Sequence, residues 1–228
     1  MAYILNIETA TKNCSVSLAK NGELVAIKEL NNGNYSHAEV LHVFIHEILT
    51  SNGVSSSELD AIAVSKGPGS YTGLRIGVSA AKGLSFAHDI PLISIDTLKS
   101  LACSISVTDG YIVPMIDARR LEVYSAIFDR DLNPISPTEA KIIDSASYQE
   151  YLEPHKVYFL GDGSEKCKAI LTHSNAHFID NHHPSAKEMA TLSYDKFKRE
   201  DFEDVAYFEP FYLKDFIVIP EKKRRSTY

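Results

Sequence analysis

The chain has 228 residues, 44% of them hydrophobic and 23% charged, with a formal net charge of −7. This suffices for one large domain or two small ones with real cores, and the acidic balance argues against strong non-specific nucleic-acid binding, which rests on basic patches. No apolar run approaches the roughly 20 residues of a membrane span and no positively charged start leads into an apolar stretch, so a cytoplasmic chain without leader or membrane contact is expected.

Tyr3–Glu8 reads as a strand, residues 9–13 as a polar turn, and Cys14–Lys20 as a second strand with Val16 and Leu18 on one face. Asn21-Gly22 is a type I′ hairpin signal leading into a third strand over 23–29. After a loop over 31–35, a helix is predicted over 36–51, with Ser36 as N-cap and Glu39 completing a capping box. Its apolar stripe is Val40, Leu41, Phe44, Ile45, Ile48 and Leu49, and Gly53 stops it. Residues 59–65 read as a buried parallel strand, 66–71 as a glycine-rich loop, 72–88 as a second helix and 91–95 as another strand. Strand, helix, strand, helix, strand after a meander is an α/β pattern.

A polar stretch over 104–110 separates this from a second half that resembles the first more weakly. It carries strands over 111–116, 121–129 and 156–160 and a helix over 187–198. Residues 208–216 are aromatic, include Pro210, and read as an extended packing segment. The dense basic cluster Lys222-Lys223-Arg224-Arg225 reads as a solubilising tail, with an auxiliary RNA contact as the alternative. Cys14, Cys103 and Cys167 stand far apart without a CxxC, against a disulfide framework or a cysteine-rich zinc site.

The most informative segment is Gly67-Pro68-Gly69-Ser70-Tyr71-Thr72-Gly73-Leu74-Arg75-Ile76-Gly77. It is a strand end, a glycine-rich loop and a helix start, whose free N–H groups suit either an anion or a tight connection. It lacks the Lys-Ser/Thr ending of a P-loop. His42 and His46 have the i, i+4 spacing of metal ligands, with His37 a turn earlier. However, Val43 stands where a zincin has its glutamate and no third ligand is evident, so surface histidines are expected.

This glycine-rich segment resembles the signature of the TsaB (formerly YeaZ) family. Ile4-Leu5-Asn6-Ile7-Glu8-Thr9-Ala10, Ile116-Asp117-Ala118-Arg119-Arg120 and Glu209-Pro210-Phe211-Tyr212-Leu213 extend the likeness over most of the chain. The resemblance implies an α/β chain of the actin-like ATPase/sugar-kinase (ASKHA) fold, with two related subdomains built on mixed sheets. The expected division is 1–104, 105–220 and a basic tail over 221–228. It implies a non-catalytic dimerisation subunit that supports a TsaD-like catalytic paralogue, together with a TsaE-like ATPase. That complex moves threonylcarbamoyl from its adenylate to N6 of an adenosine in the tRNA anticodon loop. The chain then meets tRNA only through the complex and pairs with itself when alone. Catalytic relatives carry His-x-x-x-His where this chain has Thr97 and Leu101, so neither catalytic residue nor metal is expected.

The resemblance also places a phosphate at the first hairpin of such ATPases. Glu8, Thr9, Gly161, Asp162 and Gly163 are the candidate contacts for a weakly held ATP or ADP, and no cofactor is expected to bind tightly. Asp117-Ala118-Arg119-Arg120 joins two strands as either a surface turn or a cleft lining. In the second helix Leu74, Val78, Ala81 and Ser85 share one face while Ile76, Ala80, Leu84 and Ala87 cover much of the rest, leaving Arg75, Ser79 and Lys82 polar. Gly73, Gly77 and Ala81 give small residues at four-residue spacing, suited to close helix approach. His37, Val40, Leu41, Phe44, Tyr71, Leu74, Arg75 and Val78 are the expected partner contacts. The rival readings are a metallopeptidase-like hydrolase, and a small-molecule kinase or ATPase with Asp117 as its catalytic acid.

Overall fold

The computed structural model describes residues 1–33 and 36–214. The basic cluster Lys222–Arg225, the end of the expected 208–216 segment and part of the 31–35 loop lie outside them.

The first half opens with β1 (Tyr3–Glu8), β2 (Cys14–Lys20) and β3 (Glu23–Leu30), then α1 (His37–Ser51), β4 (Ala61–Gly67), α2 (Tyr71–His88), β5 (Leu92–Asp96) and α3 (Thr97–Ala102). The turn between β2 and β3 has positive φ at both Asn21 and Gly22, as the sequence predicts. The sheet order is β3-β2-β1-β4-β5. The first two pairings are antiparallel, and β1 with β4 and β4 with β5 are parallel.

The second half repeats this plan. It comprises β6 (Tyr111–Asp117), β7 (Glu122–Ser125), β8 (Phe128–Asp129), β9 (Glu139–Ile142), α4 (Gln149–Leu152), β10 (Val157–Leu160), β11 (Ala176–Ile179) and α5 (Ala186–Lys198). Its sheet runs β11-β10-β6-β7-β9, with β8 added on β6. Apart from β8, each strand has a counterpart in the first sheet with the same sense of pairing: β9-β7-β6 are antiparallel neighbours and β6-β10-β11 parallel ones, as are β3-β2-β1 and β1-β4-β5. This is the ASKHA architecture of two related α/β subdomains with mixed sheets. The helices are unequal. α1 has 15 residues and α2 has 18, whereas the corresponding places hold the four-residue α4 and a three-residue 3-10 turn, Glu165–Cys167.

Period-two burial sorts the first sheet into two faces. Leu5, Ile7, Val16, Leu18, Ile62 and Val64 pack under α1 and α2 with Leu41, Ile45, Ile48, Val78 and Ala81. Ile4, Ala61, Ala63, Ile93 and Ile95 face the other way, onto Ala186 and Met189 of α5. Ser15 Oγ accepts from the Ala186 N–H at 2.9 Å, and Ser17 Oγ donates to the Ala186 carbonyl at 2.7 Å. The end of the chain therefore returns to cover strands made at its start. Residues 203–214 do the same as an extended strap. Glu203 N–H donates to Leu92 O and Phe211 N–H to Lys66 O, and Lys82 Nζ donates to Ala206 O and Phe208 O.

Three local expectations change. Ser36 makes no side-chain cap; the capping box forms instead at Ser55 with Glu58, on the 3-10 turn Ser56–Glu58. The strand expected over 121–129 is split into β7 and β8. Its register against β6 runs from Met115↔Ser125 to Ile112↔Phe128, which carries Ala126 opposite Pro114, a residue with no N–H to give the ladder. β9, α4 and β11, four residues each, have no counterpart in the predicted elements.

Candidate functional site

Two places invite a function: the crevice between the halves, and the outer face of α1 and α2.

The loops that would hold phosphate are occupied from within. Gly69, Gly73 and Gly77 lie against the turn between β1 and β2. A Cβ on Gly69 would stand 2.4 Å from Ala10 O, one on Gly73 2.1 Å from Thr9 O, and one on Gly77 2.2 Å from Thr9 Oγ1. The small-residue stripe thus seats α2 on its own hairpin instead of admitting a second helix. Thr9 is fully buried and its hydroxyl donates to Gly73 O at 2.8 Å. Glu8 is fully buried as well; its Oε1 accepts from Ala10 N–H at 2.6 Å and Ser65 Oγ at 2.7 Å. Burial pushes its pKa up to about 7, against the lowering effect of those bonds.

The second half mirrors this seat. A Cβ on Gly161 would meet Met115 O at 2.2 Å, and one on Gly163 would stand 2.9 Å from Ile116 C. Asp162 Oδ1 accepts from Asp117 N–H at 3.0 Å, and burial raises its pKa. A cleft of about 330 Å3 does open nearby, lined by Asn13, Glu29, Ser104, His182, His183 and Glu188 among others. Glu8, Thr9, Gly161, Asp162 and Gly163 are not among its lining residues. These five expected nucleotide contacts instead engage neighbouring backbone, holding the two loops on their strands. Within the cleft, the Asn13 amide and the Ser185 hydroxyl both turn to Glu29 Oε2, at 3.4 and 2.9 Å, which spends donors that an anion would need.

Thr97 and Leu101 are both fully buried. Thr97 Oγ1 accepts from Gly67 N–H at 3.1 Å, and Leu101 packs with Leu98, Ile116 and Leu160. His42 and His46 are exposed on α1. Among the described residues no group of three or more His, Cys, Asp or Glu converges to hold a metal ion. Asp117, the candidate acid of a kinase, is engaged by Lys166 and accepts from Arg119 N–H.

Half of the expected partner contacts face inward. His37 is 2% exposed, Leu41 and Leu74 0%, and Val78 4%. His37 Nε2 donates to Thr11 O at 2.7 Å, and burial lowers its pKa. A residue with no surface reaches a partner only through what it supports, so the outward set narrows. Val40 and Phe44 of α1 are half-buried, as are Ile76 and Ala80 of α2, and Val43 is 49% exposed. Tyr71 and Arg75, at the start of α2, are engaged with the strap. The Arg75 guanidinium lies 4.0 Å from the Tyr71 ring centroid and donates from Nε to the Tyr212 hydroxyl at 3.2 Å.

The sequence family described as "TsaD: tRNA N6-adenosine threonylcarbamoyltransferase" matches residues 32–219. The tRNA threonylcarbamoyladenosine biosynthesis protein TsaB of Escherichia coli K12 is 31% identical over 220 residues, covering 93% of this chain and 94% of that one. The protein of the same description from Bacillus subtilis 168 is 30% identical, covering 92% and 93%. The solved structure of YeaZ from Pseudomonas aeruginosa superposes with a TM-score of 0.82 at 23% identity, over 93% of this chain and all of that one, and so shares its fold.

Proposed function

The chain belongs to the TsaB family of tRNA threonylcarbamoyladenosine biosynthesis proteins, and on that footing we propose that it is a non-catalytic scaffold subunit. It holds a TsaD-like catalytic paralogue, which transfers threonylcarbamoyl from threonylcarbamoyl-AMP to N6 of an adenosine in the tRNA anticodon loop. A TsaE-like ATPase joins the same complex. The observation that carries this reading is the inequality of the two halves. Only the first keeps long helices at these positions, and those helices leave Val43 49% exposed and Val40, Phe44, Ile76 and Ala80 half-buried, an apolar set that a partner can cover. Residues 1–104 supply the docking half, and residues 105–220 brace it.

A paralogue of the same fold presents an equivalent helix pair, so the contact is a four-helix packing. Two copies of this chain make its isologous version when the partner is missing. The buried Thr97 and Leu101 support the lack of chemistry: a leucine cannot ligate a metal, and the threonine is committed to the Gly67 N–H.

The test is Phe44→Glu with Ile76→Glu in the full chain. A charge desolvated in such a contact has no partner, so the variant, folded by circular dichroism, is expected to stay monomeric and to lose the catalytic paralogue in co-purification. Wild-type self-association and partner capture in the folded variant would overturn the docking face. Threonylcarbamoyl transfer by the chain alone would overturn the scaffold role.

A further inference from the structure

Beside the docking helices, at the opposite end of the strap, aromatic rings and cations gather on one face. Tyr71, Tyr124, Phe211, Tyr212 and Lys214 line a small crevice of about 50 Å3. The rings of Tyr71 and Tyr212 are 4.8 Å apart, with Arg75 over the first and bonded to the second. Lys214 pairs with Glu122 and lies over the Tyr124 ring. Phe211 is 41% exposed, and Tyr71, Tyr124 and Tyr212 are half-exposed. Arg119 and Arg120 form the turn between β6 and β7, where Tyr124 pairs with Ile116 and the Ala118 N–H donates to Glu122 O, so the turn closes the strand that carries Tyr124.

That turn is built against its own backbone preference. Arg119 and Arg120 are consecutive and both left-handed, with φ of 72° and 54°. Asparagine and glycine adopt this conformation readily, and arginine does not. Both side chains are exposed, and among the described residues neither has an ion pair or a hydrogen bond. Two exposed arginines thus stand together on a left-handed tip at the end of the strand that carries Tyr124. Leu132, Tyr148 and Glu200 adopt the left-handed conformation singly, whereas here two such residues are consecutive, and costs of this kind cluster at functional sites.

We propose that this face binds single-stranded RNA, with Tyr124, Phe211 and Tyr212 stacking on bases and Arg75, Arg119 and Arg120 taking phosphates. Aromatic platforms bordered by cations suit unpaired nucleotides, whose π-faces are free, and not a duplex, whose bases are already stacked. The inference rests on the reading of the chain as a subunit of a tRNA-modifying complex, and it gives that subunit a direct contact with the substrate's unpaired loop.

The test uses Arg119→Asn/Arg120→Gly, which removes both charges and supplies residues that accept the left-handed turn. The full chain, alone and with its catalytic paralogue, is titrated by fluorescence anisotropy into a labelled RNA hairpin with an unpaired loop, at several salt concentrations. The expected result is a tenfold or greater loss of affinity. The dependence of log affinity on log salt should become shallower by about 1.4, the share of two phosphates on a single strand. The variant should melt no lower than wild type. Wild-type affinity in the variant, no measurable RNA binding by the wild type, or equal binding of a fully paired duplex each overturns the proposal. So does loss of paralogue capture with RNA binding retained, which makes the face a protein interface. Paralogue capture by the wild type is scored separately. Its failure counts against the scaffold role, while the titration of the chain alone still decides the RNA face.

Discussion

Gly77 offers a quantitative test of how α2 is seated. An alanine there places its methyl 2.2 Å from Thr9 Oγ1, so the hydroxyl must move and give up its 2.8 Å bond to Gly73 O in a fully buried site. Crowding a packed core costs about 1–3 kcal/mol and an unsatisfied buried hydroxyl about 1–3 more. Alanine in place of glycine inside a helix returns about 1 kcal/mol. Gly77→Ala is therefore expected to destabilise the chain by about 2–4 kcal/mol, read as the shift in urea midpoint at constant m-value. With Thr9→Ala already in place, the nearest remaining obstacle is the Thr9 Cβ at 3.3 Å, and the same substitution should be neutral or stabilising by up to about 1 kcal/mol. The cycle should thus report a coupling of about 2–5 kcal/mol. Gly73→Ala is the control, since it meets the Thr9 carbonyl at 2.1 Å and no side-chain truncation relieves that. An equal cost for Gly77→Ala in both backgrounds would refute the proposed seat.

Other outcomes follow from buried groups. The Glu8 pKa is raised from 4.5 to about 7, so the folded protein holds a proton that the unfolded chain releases. The associated stability is complete below pH 4.5 and is lost as pH rises through 7, a change of about 3 kcal/mol. Glu8→Gln should remove that slope; parallel stability curves for variant and wild type between pH 5 and 8 would count against it. Val78 is 4% exposed and packs in the first core, so Val78→Glu should unfold the chain or cost about 3–5 kcal/mol, and a variant that is folded and merely monomeric would contradict its inward placement. Calorimetry of the lone chain with ATP should find no affinity tighter than about 1 μM, about −8 kcal/mol, because the loops that would cradle phosphate grip their own strands.

The meander, the parallel strands, α1, α2 and α5 were legible because each is long enough for its period to show. The elements that escaped, β9, α4 and β11 with four residues each and α3 with six, are too short for a period to show. Helix faces were harder. α2 is apolar on most sides, so periodicity grouped Leu74 with Val78 but left open whether that stripe met a partner or its own sheet; tertiary packing turned it inward. His37 has the polarity of a surface residue, and the Thr11 carbonyl that its ring meets inside the fold is 26 residues away in sequence. The glycines at 69, 73 and 77 signalled close approach correctly, yet spacing alone does not say what approaches. Here it is the turn between β1 and β2, and that contact engages the Thr9 hydroxyl and carbonyl. The unpaired arginines at 119 and 120 were visible as a charged turn, but their left-handed backbone was not.

The position of α5 bears on how this chain comes into being. Its contacts cover Ile4, Ala61, Ala63, Ile93 and Ile95, all made early, while α5 itself ends at Lys198. A ribosome delivering about 5–20 residues per second needs roughly 5–20 s to traverse the intervening stretch of about 100 residues. For that interval one side of the newborn sheet is bare, its serines without the Ala186 backbone and its aliphatic residues against water. A nascent chain halted near residue 104 is thus a client for holding chaperones and proteases, not a half-sized folded subunit.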